Sequence, residues 1–252
     1  MAKHNPMEHV LELYKQFRDS DSPFIVDEKN NIRYSVMQEE DMDEAMKVIA
    51  ISFIEQNEIY KSRGVTVEQY ILAAKFECRL AMEDKLAIVA RDIENNKLVG
   101  VGIGYVYSKV TEVTAGENVI NNYGEAMAPI MDCMMQLYED AEKKESFDPK
   151  KMIVIDDVAC LRGEKYASKA IGFLSGFLVE AISARHGYDN MITTIFNPIM
   201  QKRSLAVGYR LICSVDLNEY TYKDEKVFLD LVAKGYKEVQ IFIKDIRKDN
   251  KK

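Results

Sequence analysis

Histidine is scarce in this sequence. With only His4, His9 and His186 in 252 residues, scattered rather than clustered, neither a histidine-ligated metal centre nor a His-based triad is expected. Cysteine is hardly commoner. Cys78, Cys133, Cys160 and Cys213 stand far apart in apolar surroundings without metal-ligand spacing, and read as reduced core thiols. Long apolar runs are missing too: none reaches the roughly 18 residues a membrane span needs, and no n-region and h-region open the chain. A soluble cytoplasmic protein is the expectation, without metal or membrane. There is also no excess of positive charge. Thirty-four Lys+Arg against 41 Asp+Glu leave a net −7, so nucleic acid is not an expected partner and any anion site must be local.

What is present is a real core, with 47% of residues hydrophobic. Residues 6–17, "PMEHVLELYKQF", set Val10, Leu11, Tyr14 and Phe17 on one stripe of an amphipathic helix. A connector follows, and residues 1–30 are set apart from a single domain at 31–247, with a charged tail at 248–252. Within that domain the pattern predicts a strand at "IRYSVMQ", then helices at "EEDMDEAMKVIAISFIE" and at 66–82. Two strands follow, "KLAIVARD" and "KLVGVGIGYVYS", turned by "IENN", and then a long helix over 123–144. The second half reads strand "KMIVIDDVAC", helix to about Arg185, strand "MITTIF", and helix "NPIMQKRSLAV" capped by Asn197 with Pro198 in its first turn. Strands "GYRLICSVDLNEY" and "KGYKEVQIFIKDI" end it. This alternation predicts a mixed α/β sheet with helices on both faces. Gly100, Gly102 and Gly104 lie inside a strand, not at a strand-to-helix turn, which excludes a dinucleotide fingerprint.

Only 12 glycines are available, yet "LRGEKYASKAIGFL" gathers Gly163, Ser168, Ala170 and Gly172 beside Arg162, Lys165 and Lys169. With a helix starting near Tyr166, the amides of Lys165–Ala170 lack intrahelical partners, and a diphosphate fits where small side chains let it approach. The competing interpretation is a solvated basic turn on an Ala-rich helix face.

"KYASKAIGFL" resembles the acyl-CoA pyrophosphate loop of the GNAT superfamily of N-acetyltransferases, patterned Arg or Gln, two residues, Gly, one residue, Gly or Ala. Lys165 stands at the basic position, Ser168 at the first glycine and Ala170 at the second. The later segment is similar to the invertebrate arylalkylamine N-acetyltransferases, with Gly208, Tyr209, Ser214, Val215, Asp216 and Tyr220 in the register of that subfamily's strand. "EEDMDEAMKVIAISFIEQNEI" resembles its first helix. The likeness covers residues 32–246.

The resemblance implies a GNAT-like sheet, mixed and mostly antiparallel, with a V-shaped splay between two parallel strands. It implies acetyl-CoA as co-substrate and direct attack of a small arylalkylamine on the thioester, by a monomer or homodimer. A different acceptor (a polyamine, an amino acid or a protein N-terminus) and a non-catalytic binding module stay open. Counting from Glu44-Ala45 places Glu58 at the catalytic glutamate, with Glu55 as runner-up. Partial burial beside Phe53 and Ile54 is expected to raise its pKa. Ser204 stands where many members carry the thiolate-protonating tyrosine. The pantetheine arm is expected along Val158, Ala159 and Cys160, and the pyrophosphate at Lys165, Tyr166, Ala167, Ser168, Lys169 and Ala170, with Asn197 also toward the cofactor. Phe53 is expected to wall the amine pocket, and Asp156 or Asp157 either to bind the substrate ammonium or to point at solvent. Met127, Met131 and Met134 wall the amine pocket or belong to the plain core.

Overall fold

The architecture comes from a computed structural model, in which residues 6–114 and 124–247 are described. The charged tail at 248–252 and the first residue of the expected helix over 123–144 lie outside them. In chain order the elements are α1 (Pro6–Arg18), β1 (Phe24–Asp27), β2 (Ile32–Val36), α2 (Met42–Gln56), α3 (Glu58–Ser62), α4 (Val67–Glu83), β3 (Ala87–Asp92), β4 (Leu98–Val106) and α5 (Val110–Thr114). Then follow α6 (Ala128–Lys144), β5 (Met152–Cys160), α7 (Ile171–Arg185), β6 (Asn190–Ile195), α8 (Pro198–Ala206), β7 (Arg210–Asp216), α9 (Leu229–Ala233) and β8 (Glu238–Asp245). They divide between two compact units, and β5 contributes to both.

The first unit takes residues up to Phe53, then Ala74–Tyr105 and Ile155–Gly187. Its strands run β1-β2-β3-β4 with β5 beside β4. The ladders β1–β2, β2–β3 and β3–β4 are antiparallel, and the Leu161 N–H donates to the Val99 carbonyl at 2.9 Å. β1 lies in the segment expected to be a connector. Four residues next to Pro23 give too short a pattern to read, but pairing from Phe24↔Ser35 to Asp27↔Ile32 makes them a strand.

Helix α7 seats on this sheet because β4 offers no side chains at two places. A Cβ on Gly100 would lie 2.6 Å from Ile171 Cγ2, and one on Gly102 2.8 Å from the backbone carbonyl of Ser175. The strand glycines therefore set how deep α7 sits. Helix α1 packs against α7: the Tyr14 hydroxyl donates to buried Glu180 at 2.9 Å, and the rings of Tyr14 and Phe177 are 5.6 Å apart. Leu11, expected on the buried stripe, is exposed, and Leu13 takes its place beside Val10, Tyr14 and Phe17.

The second unit takes Ile54–Ala73, Val106–Val154 and Tyr188 onward. Here β5 and β6 pair in parallel from Met152↔Asn190 to Val154↔Ile192, where the ladder stops. β6–β8 and β7–β8 are antiparallel. The expected mixed, mostly antiparallel sheet with a parallel pair that parts is thus present. Gln201 on α8 donates to the carbonyls of Ile195 and Glu238 at 3.0 and 2.9 Å, tying β6 to β8. Met127, Met131 and Met134 are buried beside Leu137 and Ile130, so the methionine stripe is core.

Candidate active site

The segment after β5 does not begin a helix near Tyr166. Helix α7 starts at Ile171, and its N-cap Ala170 is left-handed, φ +54°. Ser168 is left-handed as well, φ +62°. L-residues visit this region at a cost of roughly 1–2 kcal/mol each, and here the two fall on the positions where the GNAT pattern carries glycine or alanine. Local bonds close the loop's first part: the N–H groups of Tyr166 and Ala167 both donate to the Gly163 carbonyl, at 3.0 and 2.9 Å. The N–H groups of Ser168, Ala170 and Ile171 have no partner among the described residues. Successive amides around left-handed residues at a helix N-terminus form a concavity that favours anions.

The lysines do different work from that expected. Lys165 Nζ lies 2.6 Å from both the buried Asp92 and Glu94 in the β3–β4 turn, and the Tyr166 hydroxyl donates to Asp92 at 3.0 Å. Lys165 above all holds the Asp92 carboxyl below its usual range. Lys169 donates to the Asn30 carbonyl in the β1–β2 turn at 3.0 Å. Lys165 and Lys169 therefore tether the loop to two hairpin turns rather than adding free charge to an anion site. Arg162 is exposed and joins neither tether.

β5 leads into this loop. Since Leu161 pairs with β4, Val158 and Cys160 present their backbone groups on the opposite edge. At Cys160 that edge is already taken: the Ser52 hydroxyl donates to its carbonyl at 3.0 Å and accepts from its N–H at 3.2 Å. The expected pairing of an extended arm with Cys160 is corrected accordingly, whereas the edge at Val158, beyond the end of the β6 ladder, has no backbone partner among the described residues. Ala159 is buried. The Gly172 N–H bonds to the Cys160 thiol, whose pKa burial pushes up to about 11.

Asp156 and Asp157 differ from ordinary strand residues. Asp157 is buried. Asp156 Oδ2 is buried without a hydrogen-bond partner, and burial together with the Glu77 carboxylate lifts the Asp156 pKa well above the usual range, against the favourable Tyr105 hydroxyl. Glu77, among the mixed residues of α4, and Tyr105, in the apolar run of β4, carry no local signal, and only the fold brings them to β5. Among the described residues no cluster of His, Cys, Asp or Glu is placed to hold a metal ion.

In the second unit Glu58 opens α3. It sits 2.8 Å from Lys234 and 3.0 Å from Lys61, side chain about 31% exposed. The raised pKa expected from burial is not found. Lys234 and then Lys61 hold the group down, which makes it a poor proton acceptor. Glu58→Gln is expected to leave amine-dependent thiol release within about twofold of wild type at pH 7; a hundredfold loss would restore its role as base. Asn197 caps α8, accepting from Ile199 N–H at 2.9 Å and Met200 N–H at 3.4 Å. Ser204 is buried in α8. Phe53, at the end of the first unit's part of α2, is half-buried, and Glu55 is exposed.

Comparison with solved structures follows the same architecture. The C-terminal condensation domain of Ebony, in complex with beta-alanyl-dopamine, superposes with a TM-score of 0.70 at 13% identity over 85% of this chain and 98% of that one. Arylalkylamine N-acetyltransferase 2 from Aedes aegypti gives 0.67 at 16% over 86% and 99%. The Drosophila melanogaster polyamine N-acetyltransferase, which forms N-acetylagmatine, gives 0.63 at 10% over 85% and 99%. The chain has the GNAT fold. No family model and no curated protein matches the sequence, so the likeness is one of three-dimensional form. Among the described residues no helix is long and apolar enough to cross a membrane.

Proposed function

We propose that this protein is an acetyl-CoA-dependent N-acetyltransferase whose acceptor is the primary amine of a small arylalkylamine. The observation that carries the assignment is the loop before α7. It spends backbone strain at Ser168 and Ala170 to leave the amides of Ser168, Ala170 and Ile171 unpaired at a helix N-terminus. A diphosphate is the ligand for which such a cradle is worth its strain. Val158 and Ala159 would carry the pantetheine arm along the backbone edge of Val158, and the Val158 N–H would polarise the thioester carbonyl. Attack by a neutral amine then forms the amide and releases the thiol.

The acceptor class draws on the sequence register of Ser214, Val215, Asp216 and Tyr220 and on the dopamine conjugate bound by one structural neighbour. A polyamine acceptor is the second reading, favoured by the comparable likeness to a polyamine enzyme. Thiol release from acetyl-CoA with tyramine and with spermidine separates them: faster release with tyramine supports the first, faster release with spermidine the second.

Ser168→Gly tests the loop. Glycine adopts φ +62° without the penalty that serine bears, so the variant is expected to gain about 1 kcal/mol in stability and to bind acetyl-CoA several-fold more tightly. Weaker binding by calorimetric titration would place the cofactor elsewhere.

A further inference from the structure

The first unit carries a buried, unpartnered carboxyl oxygen at Asp156, four positions before the end of β5. The N-terminus of α7 lies beside the end of β5: a Cβ on Gly172 would stand 3.6 Å from both Cys160 Cβ and Val158 Cγ1. An acyl-CoA whose diphosphate sits at that N-terminus sends its arm back along β5. The four residue steps from Cys160 back to Asp156 span about 13 Å of extended strand, comparable with an extended pantetheine chain. Its thioester then arrives beside Asp156, just beyond the open edge at Val158.

Resting on the acetyl-CoA assignment above, we propose that the Asp156 carboxylate takes the proton from the acceptor's ammonium group. The neutral amine's lone pair forms the C–N bond at the thioester carbonyl, and the C–S bond breaks with its electrons on sulfur. The second ammonium proton goes to solvent, and the thiolate collects the proton held by Asp156, restoring the carboxylate. One proton is released per turnover.

Two features of Asp156 suit this work. Its Oδ2 is buried with no hydrogen-bond partner among the described residues, so an ionised Asp156 has an unmet need that a substrate N–H fills. Its surroundings also make it basic. Burial and Glu77 from α4 raise its proton affinity, and Tyr105 from β4 moderates it. The adjoining Asp157 is buried, and Cys78 on α4 feels the Asp157 charge.

The test uses the intact protein with acetyl-CoA and tyramine. Asp156→Asn is expected to bind acetyl-CoA within about twofold of wild type and to release thiol at least 100-fold more slowly. Folding is not the obstacle. A carboxyl whose pKa is raised in the folded state destabilises that state increasingly as pH rises through its titration, so the neutral asparagine is expected to melt higher at pH 7. In the pH profile of kcat/KM, Glu77→Gln is expected to move the acidic limb to lower pH and Tyr105→Phe to move it higher. Asp156→Asn turning over within threefold of wild type, or a limb that neither neighbour moves, would overturn the assignment while leaving the acetyltransferase reading intact. Wild-type protein that fails to bind acetyl-CoA would sink both, and would be recognised before any variant is made.

Discussion

Gly102→Ala is expected to destabilise the protein by about 3 kcal/mol, a fall of roughly 10 °C in Tm. The magnitude follows from what the added methyl meets. At Gly100 the nearest atom is the Cγ2 methyl of buried Ile171, at 2.6 Å, so repacking of one side chain is needed. At Gly102 it is the backbone C and O of Ser175, at 2.8 Å, so α7 as a whole must lift. Lifting α7 also moves the Ile171 amide away from the loop, so weaker acetyl-CoA binding should accompany the lower Tm. Circular dichroism melts of the Gly100→Ala and Gly102→Ala variants check this. Equal, small shifts would show that α7 does not rest on the strand backbone.

The second large effect is expected at Ala170. Valine is β-branched and resists φ +54° more strongly than alanine does. If the left-handed N-cap forms the diphosphate cradle, Ala170→Val must either keep the strain or flip the cap. An added cost of about 2 kcal/mol corresponds to roughly 30-fold weaker acetyl-CoA binding. Lys165→Met is the informative contrast, because Lys165 is engaged by Asp92 and Glu94. It is expected to loosen the loop and raise the apparent Kd only a few-fold. A larger loss from the lysine than from Ala170→Val, measured by calorimetry, would mean that side-chain charge and not backbone shape holds the anion.

Particular residues show how far sequence reaches in this fold. Alternation and capping marked most strands and helices, and Asn197-Pro198 opens α8 where the cap pattern put it. These signals are local, set by period and by residues one to three positions apart. The partners of Lys165 lie 71 to 73 residues earlier, in a hairpin turn, so no window of sequence could tell a tethering lysine from a phosphate-binding one. The loop itself was legible only by likeness to a glycine pattern. Ser168, which departs from that pattern, and Ala170, which the pattern allows, both keep the backbone conformation that glycine would take easily.

The acidic groups show the opposite failure. Glu58 was found by counting along a helix. Its two lysines, one of them on a segment 176 residues away, turn a candidate base into an ion-paired surface group. Asp156 and Asp157 were visible as an acidic break in an apolar strand, but the groups that tune Asp156, Glu77 and Tyr105, come from α4 and β4. Charge identity was readable in sequence, and charge environment was not, because environment is set by tertiary neighbours.

The measurement that bears most directly on the central claim is a crystal structure of the protein with CoA. The diphosphate is expected within about 3 Å of the amides of Ser168, Ala170 and Ile171, with the pantetheine arm along Val158 and the sulfur beside Asp156. A diphosphate held elsewhere by lysine or arginine side chains, with those three amides still unpaired, would contradict the account.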